Sequence, residues 1–310
     1  MPSPRTTARA VIVVAALFAA AGSASATTDN LPPPPGGPPA KGPQPSLPPP
    51  PKKAGIIFPV VGPVDYRDDF GEPRPGGPHQ GNDIMAPKRA LAVAAEAGKV
   101  KFWTTSASAG CMLYLYGRSG TTYLYIHLNN DLTNGNDNRG RCVAGTAYAT
   151  GLKSGAAVVA GQPVGLVGDS GDANGVHPHL HFEVHPKDGK AVSPYPYLRR
   201  ARHLLFAASP GAMVSLKLRG TVVASPPDEL TLKVLTLTAS TGLKVSAVGR
   251  TVVLSLPAEA TIIAASPLVT APRLVKGKTV LATTTSTAVT LAAELGSPGA
   301  LAAATVAVGP

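Results

Sequence analysis

Four of the chain's seven histidines lie in one short segment, "HPHLHFEVH", residues 177–185. Polar and apolar residues alternate in it, and on a β-strand the side chains at i and i+2 share a face, about 6 to 7 Å apart along the backbone. His179 and His181 would therefore lie side by side, with Leu180 on the core face. A metal site competes here with a solvated histidine-rich face and with a pH-sensitive patch.

A catalytic zinc ion takes three protein ligands and keeps one open position. The outer histidines of this segment lie too far along the strand, so a second contributor is required. The segment "HQGNDI" offers His79 and Asp83, with Gly81 allowing a tight backbone path between them. The preceding "PRPGGP" favours a loop that runs into a strand over a helix.

The order of several separated motifs makes the pattern specific. His79-x-x-x-Asp83 is followed by "APKRALAVAAEAGKV", "YLYIHL", "GQPVGLVGDSG" and "HPHLHFEVHP". In that order they resemble the M23 family of zinc metallopeptidases, also called the LytM or lysostaphin type. The resemblance runs over residues 65–198, less than half of the 310-residue chain.

This resemblance implies a β-sheet groove and one zinc ion per chain, held by His79, Asp83 and His181. It also implies that His179 and His127 do the acid-base and charge-stabilising work. Two neutral imidazoles and one carboxylate would leave the ion one net positive charge, enough to activate water and polarise a peptide carbonyl. The chain has no HExxH glutamate, so a histidine must accept the water's proton.

The remaining polar residues of the histidine-rich segment receive weaker assignments. His177 is expected to line the groove mouth, and His185 to be a solvated residue at the strand end. Glu183 shares the ligand face, where orienting His181 and forming a structural ion pair are equally open interpretations.

Short runs rich in β-branched and aromatic residues, separated by Gly, Asn, Asp and Pro, predict the strands that position these residues. The runs are 91–94, 98–103, 111–116, 121–128, 164–167 and 180–184. We predict an all-β fold, with an antiparallel β-sheet peptidase domain of the M23/LytM type over 56–208. A small β-barrel or sandwich domain follows over 209–296.

The C-terminal third differs in composition from the rest. After Phe206 the chain has no aromatic residue, and Val, Leu and Thr alternate with Lys, Arg and Ser. Without aromatic stacking platforms, a spacer or brace is favoured there over a contact with a wall polymer. Residues 297–310 are predicted to be a disordered tail.

The N-terminus has the three parts of a secretory signal: two arginines, an apolar run over 10–21 and the small-residue tract "ASA". We predict a signal peptide over 1–26, because the apolar run is too short for a transmembrane anchor. The Pro-rich stretch 27–55 is predicted to be an extended, semi-rigid linker.

The two cysteines, Cys111 and Cys142, are predicted to form a disulfide, since an even pair in an exported protein is most simply a bridge. In the chain-entropy model a loop of this length is worth about 3 to 4 kcal/mol. The bridge would restrain the polar stretch 129–141, which we predict to form one wall of the groove.

The formal net charge of +11 and the pI near 9.8 bear on partners. In an exported chain this charge favours an acidic wall polymer over nucleic acid, and simple solubility has equal weight. We expect a monomer outside the cytoplasm, in the cell envelope, the periplasm or the medium. The hypothesis for its function is a zinc metalloendopeptidase acting on the peptide stems or cross-bridges of peptidoglycan. The alternatives are a non-catalytic module that binds the wall or activates another hydrolase, and a metal-scavenging protein.

Overall fold

A computed structural model describes residues 55–240, 244–265, 272–288 and 301–309 of the chain, without the side chains of 244–249. The predicted signal peptide, and the predicted linker up to residue 54, lie outside the described residues. The regular secondary structure of the described ranges is almost wholly β-strand, which confirms the predicted all-β class. No helix in these ranges is long and apolar enough to cross a membrane.

The first ten strands are β1 (Pro73–Arg74), β2 (Gly77–Pro78), β3 (Asn82–Met85), β4 (Leu91–Val93), β5 (Gly98–Ser106), β6 (Gly110–Gly117), β7 (Thr122–Leu128), β8 (Ala157–Val158), β9 (Pro163–Leu166) and β10 (His179–His185). Six of them form one antiparallel sheet in the spatial order β3-β10-β7-β6-β5-β8, while β1 pairs with β2 and β4 with β9. The helical segments are two 3-10 turns and one short helix, at Gly171–Ala173, Pro186–Asp188 and α1 (Tyr195–Leu198).

All six runs predicted as strands form strands close to the predicted ends. The alternation of β10 divides its side chains between two faces of the sheet. Leu180, Phe182 and Val184 are fully buried in the apolar core, where Phe182 meets the ring of Tyr125 edge-on at 5.3 Å. Burying a side chain of this size contributes about 1.5 to 3 kcal/mol, and a one-residue slip would turn these side chains out of the core. The core therefore fixes which face carries the histidines.

The C-terminal strands are β11 (Met213–Val214), β12 (Leu216–Ala224), β13 (Glu229–Ala239), β14 (Lys244–Ser255), β15 (Thr261–Ala264), β16 (Thr279–Thr284), β17 (Thr287–Ala288) and β18 (Ala303–Val308). Six form a second sheet in the order β14-β13-β12-β16-β18-β15, and β11 pairs with β17. All pairs are antiparallel except β15 with β18. Closure of this sheet into a barrel or sandwich stays a prediction.

The predicted disordered tail, 297–310, is wrong over Ala303–Val308. This segment forms β18 and lies inside the second sheet, paired with β16 on one side and β15 on the other. Its sequence, "AATVAV", alternates small and β-branched residues, and Ala303, Val306 and Val308 are buried. The Ala-rich sequence around it concealed a strand whose core-facing residues are one alanine and two valines.

The second sheet shares apolar packing with residues of the first part that lie outside the first six-stranded sheet. One hydrophobic cluster contains Ile57, Val61 and Phe206 together with core residues of the second sheet such as Leu218 and Leu232. The backbone carbonyl of His203 also accepts a hydrogen bond from Arg250 at 2.7 Å. The domain limits 56–208 and 209–296 stay a prediction, but the two parts are not joined by a bare linker.

Candidate metal centre and its histidines

Three elements bring the predicted ligands together. His79 directly follows β2, Asp83 lies in β3, and His181 lies in β10 directly opposite Asp83 in the ladder. Gly81 makes the close approach possible, because a Cβ at this position would lie 2.6 Å from the carbonyl oxygen of Phe182 and 2.7 Å from Nε2 of His181. The tight path predicted at Gly81 is therefore present for a steric reason.

The three donor atoms lie at distances suited to one metal ion. Nε2 of His79 is 3.2 Å from Oδ1 of Asp83 and 2.9 Å from Nδ1 of His181, and that Nδ1 is 3.0 Å from Oδ1 of Asp83. A tetrahedral zinc ion with bonds of about 2.0 to 2.2 Å holds its donors about 3.3 Å apart. All three residues are buried. Two imidazole nitrogens and one carboxylate oxygen fit zinc in both chemistry and spacing.

Hydrogen bonds on the outer side of each ligand histidine select the nitrogen that faces the centre. Nδ1 of His79 donates to the backbone carbonyl of Asp69 at 2.9 Å, so Nε2 is left as the donor atom for a metal. Nε2 of His181 donates to Oε1 of Glu183 at 3.0 Å, which leaves Nδ1. Such outer partners orient metal-binding imidazoles and raise their basicity.

The neighbouring carboxylates set the protonation state of His181. Burial alone would lower the pKa of His181, but the carboxylates of Asp83 and Glu183 outweigh it and raise that pKa to about 9. Burial would likewise raise the pKa of Asp83, yet its bonds to His181 and His79 hold it far below the usual range. The proton on Nδ1 of His181 thus lies among the three donors, where a metal ion would replace it.

Glu183 does not act on His181 alone. Its Oε2 accepts a hydrogen bond from Nε2 of His185 at 2.6 Å, while Nδ1 of His185 donates to the carbonyl of Gly189 at 2.9 Å. Since both ring nitrogens of His185 face acceptors, the ring carries a positive charge. Its pKa is raised because the contact with Glu183 outweighs burial. The prediction of a solvated His185 is therefore wrong. His177 is exposed, as expected of a residue at the groove mouth.

The two predicted acid-base histidines lie beside the three donors. The rings of His127 and His179 are 5.1 Å apart, and Nε2 of His179 is 3.8 Å from Oδ1 of Asp83. Nδ1 of His179 donates to the carbonyl of His177 at 3.0 Å, and Nδ1 of His127 donates to that of Ser170 at 2.8 Å. In the neutral state both rings therefore keep Nε2 without a proton.

Burial keeps both of these rings neutral. It lowers the pKa of His127 well below its usual value, helped by the neighbouring His179, and it also lowers the pKa of His179, although Asp83 partly opposes it. His127 has a further peculiarity, a φ of 61°, in the left-handed region that β-strand residues avoid. This conformation costs about 1 to 3 kcal/mol, and such strain concentrates at functional sites.

Residues 77–194 match the sequence profile of peptidase family M23. This chain carries an M23 peptidase domain. It is 27% identical over 152 residues to the L-Ala--D-Glu endopeptidase of Bacillus subtilis (strain 168), across 46% of this chain and 41% of that protein. The chain thus spans less than half the length of this curated relative.

Two solved structures are similar to the same part. One is the catalytic domain of the antimicrobial peptidase lysostaphin from Staphylococcus simulans, 26% identical, covering 44% of this chain and 92% of that chain, with a TM-score of 0.34. The other is a zinc-containing peptidase from Vibrio cholerae, 25% identical, covering 44% of this chain and 38% of that chain, with a TM-score of 0.32.

The predicted disulfide between Cys111 and Cys142 is present in the M23 domain and closes off the polar stretch 129–141. A buried ion triad also holds that stretch. Lys88 Nζ lies 2.6 Å from Oδ2 of Asp131 and 3.1 Å from Oδ1 of Asp169. That this stretch forms a wall of the groove stays a prediction.

Sequence reasoning missed three residues of the M23 site. Asp69 and Arg74 contact the ligands His79 and Asp83, and Ser170 fixes His127 through its carbonyl. Asp69 and Arg74 precede the HxxxD motif in "DDFGEPRPGGP", where composition indicates only a turn-rich loop. Their contacts depend on how the β1–β2 hairpin folds back, and no spacing rule gives that.

Proposed function

We propose that this protein is an exported zinc metalloendopeptidase that hydrolyses peptide cross-links of bacterial peptidoglycan. The observation that carries the proposal is the buried donor triad His79, Asp83 and His181, with two neutral histidines beside it. Zinc bound by these donors supplies Lewis acidity, which activates a water molecule and polarises the peptide carbonyl.

His179 is the proposed general base. Its Nδ1 is committed to a backbone carbonyl, so Nε2 is free to accept the proton of the attacking water and to return it to the leaving amine. Glu183 cannot take this part, because one of its oxygens accepts from His181 and the other from His185. Because both oxygens of Glu183 are already hydrogen-bonded, we assign the general base to His179.

His127 is the proposed stabiliser of the anionic tetrahedral oxygen. To donate through Nε2 it must take up a second proton from solvent. Burial opposes this uptake, and the carboxylate of Asp172, whose Oδ1 lies 3.9 Å from that Nε2, partly offsets the cost. The backbone at His127 is strained, and strain of this kind concentrates at functional sites. It therefore supports a functional role for the position of this side chain.

Three features support peptidoglycan as the substrate and the cell envelope as the place of action. The relative from Bacillus subtilis is named for cleaving between L-Ala and D-Glu, and the staphylococcal neighbour is named an antimicrobial peptidase. A disulfide suits an oxidising compartment, in agreement with the predicted signal peptide. The basic net charge suits an acidic wall.

A digestion assay tests the proposal. The full mature chain is incubated with purified peptidoglycan, with and without a chelator, and newly released amino groups are counted. Chelator-sensitive release is expected, with the fragments identified by mass spectrometry. Binding to peptidoglycan without release at any zinc level would contradict the proposal and favour the wall-binding or hydrolase-activating module. Uptake of several zinc ions per chain would favour metal scavenging.

A further inference from the structure

The guanidinium group of Arg74 contacts the carboxylate of Asp83, one of the three candidate metal ligands. Its Nη2 donates to Oδ2 of Asp83 at 2.8 Å and lies 3.5 Å from Oδ2 of Asp69. It also lies 3.2 Å from Nδ1 of His79, but that nitrogen already donates to a carbonyl, so this approach is a contact between two donors. The arginine thus makes its short bond to the ligand carboxylate.

The two oxygens of Asp83 consequently have different partners. Oδ1 faces Nε2 of His79 and Nδ1 of His181, whereas Oδ2 is bonded to Arg74. We propose that Arg74 is a positioning residue that occupies Oδ2 and so makes Asp83 a one-oxygen ligand. The inference rests on the proposed function, because it concerns the same metal site.

The hairpin that carries Arg74 makes this contact rigid. Arg74 pairs with Gly77 across β1 and β2, and His79 follows β2 directly, so one short hairpin sets both the arginine and a ligand. The Arg74 side chain is 19% exposed. The neighbouring Asp69 is held by the side-chain amide of Asn82 at 2.6 Å. A guanidinium between two buried carboxylates also offsets their mutual repulsion.

The division of the two oxygens matters for catalysis. Carboxylates can bind a cation through one oxygen or two, and a second bond from Asp83 would fill the position that water and the scissile carbonyl need. Without Arg74, the carboxylate is free to turn and bind through both oxygens. We therefore expect loss of the arginine to preserve metal binding and to lower turnover.

The test uses cobalt(II) in the full mature chain, because its visible absorption reports coordination number independently of activity. In Arg74→Gln the bands should weaken as four-coordination gives way to five, and kcat should fall about 10- to 100-fold with KM little changed. Arg74→Lys, which keeps the positive charge beside Oδ2, should restore most of the cobalt band intensity and most of kcat. Arg67→Gln is the matched control, since Arg67 pairs with Glu72 in the same loop without touching a ligand.

A folded Arg74→Gln protein with the wild-type cobalt spectrum would overturn the inference. The crystal structure of the zinc-loaded wild-type chain gives a test that needs no variant. It should place Oδ1 of Asp83 about 2.0 Å from the zinc and Oδ2 beyond bonding distance, and both oxygens at bonding distance would also overturn the inference. If the wild-type chain binds neither metal, the proposed function fails as well. If it binds metal through both oxygens, this inference alone fails.

Discussion

At the scale of single residues, each histidine of the centre is set by the partner of its outer nitrogen. Backbone carbonyls take Nδ1 of His79, His127 and His179, while Glu183 takes Nε2 of His181. On the proposed assignment, the rings of His79 and His181 would bind the metal through different nitrogens, while those of His127 and His179 stay neutral with Nε2 available. The site distinguishes ligands from bases by hydrogen bonding, although all four side chains are the same.

This division predicts different defects for two neighbouring histidines. His181→Ala should lose zinc and activity together, because it removes a ligand. His179→Ala should keep stoichiometric zinc and lose about 100- to 10,000-fold in kcat, the usual worth of a general base. Metal content and turnover measured on the same samples check this. The exposed His177→Ala is the control, and normal turnover in the His179 variant would remove it from the proposed role.

The raised pKa of His181 predicts a proton exchange on metal binding. A histidine with a folded pKa of about 9 is protonated at about pH 7.5 and must release that proton when zinc takes Nδ1. We expect close to one proton released there, and an apparent zinc affinity that rises with pH up to about 9. The dependence of the calorimetric enthalpy on buffer ionisation measures this number. A release of about 0.1 proton, as for an ordinary histidine, would contradict the expectation.

The residues of the site were only partly predictable from the sequence. The short HxxxD and HxH spacings are local and marked candidate donors, and the resemblance to the M23 family implied that His79, Asp83 and His181 converge. Arg74 and Ser170 could not be found in this way. Arg74 reaches Asp83 only because the β1–β2 hairpin folds back onto the site, and Ser170 reaches His127 only because of the turn in which it lies. The left-handed backbone of His127 was also beyond prediction, since the alternation of "YLYIHL" indicates a regular strand.

At the scale of elements, the pairing register of β10 with β3 builds the site, because it sets His181 opposite Asp83. This register was not predictable from either segment alone. The alternation within β10 was predictable, and it selected the correct face for His179 and His181. Strands in this part of the chain followed from local pattern, whereas β18 was missed because the sequence around its core-facing valines is rich in alanine.

The close approach at Gly81 predicts a sharp steric effect. In Gly81→Ala the new Cβ would meet the carbonyl of Phe182 and Nε2 of His181, so β3 and β10 must separate. We expect a loss of about 1 to 3 kcal/mol of stability and a weaker zinc affinity. Gly135→Ala is the control, since its Cβ would meet only a side-chain oxygen of Thr133 at 3.5 Å. Unchanged unfolding and zinc binding in the Gly81 variant would disprove the steric account.

At the scale of the whole molecule, the second sheet packs against apolar residues of the N-terminal part. Apolar residues of the first part, among them Ile57, Val61 and Phe206, lie in one cluster with the core of the second sheet. Composition indicated two parts and placed the change near residue 209. It could not indicate shared packing, because a contact between two folded surfaces leaves no periodic signal in either segment.

This shared cluster predicts that a chain ending at residue 208 is destabilised. Each of these side chains contributes about 1.5 to 3 kcal/mol when buried, and truncation would expose several at once. We expect a lower unfolding temperature and self-association, measured by calorimetry and size-exclusion chromatography. The matched control spans residues 55–309. Equal unfolding temperatures for the two chains would show that the second sheet is only an appendage.

The central claim is that one zinc ion is held by side chains from two distant segments. Anomalous diffraction at the zinc edge, on crystals of the zinc-loaded mature chain, tests it most directly. The account predicts one strong peak about 2.0 to 2.2 Å from Nε2 of His79, Oδ1 of Asp83 and Nδ1 of His181. A fully loaded crystal whose zinc peak lies away from these three atoms would contradict it.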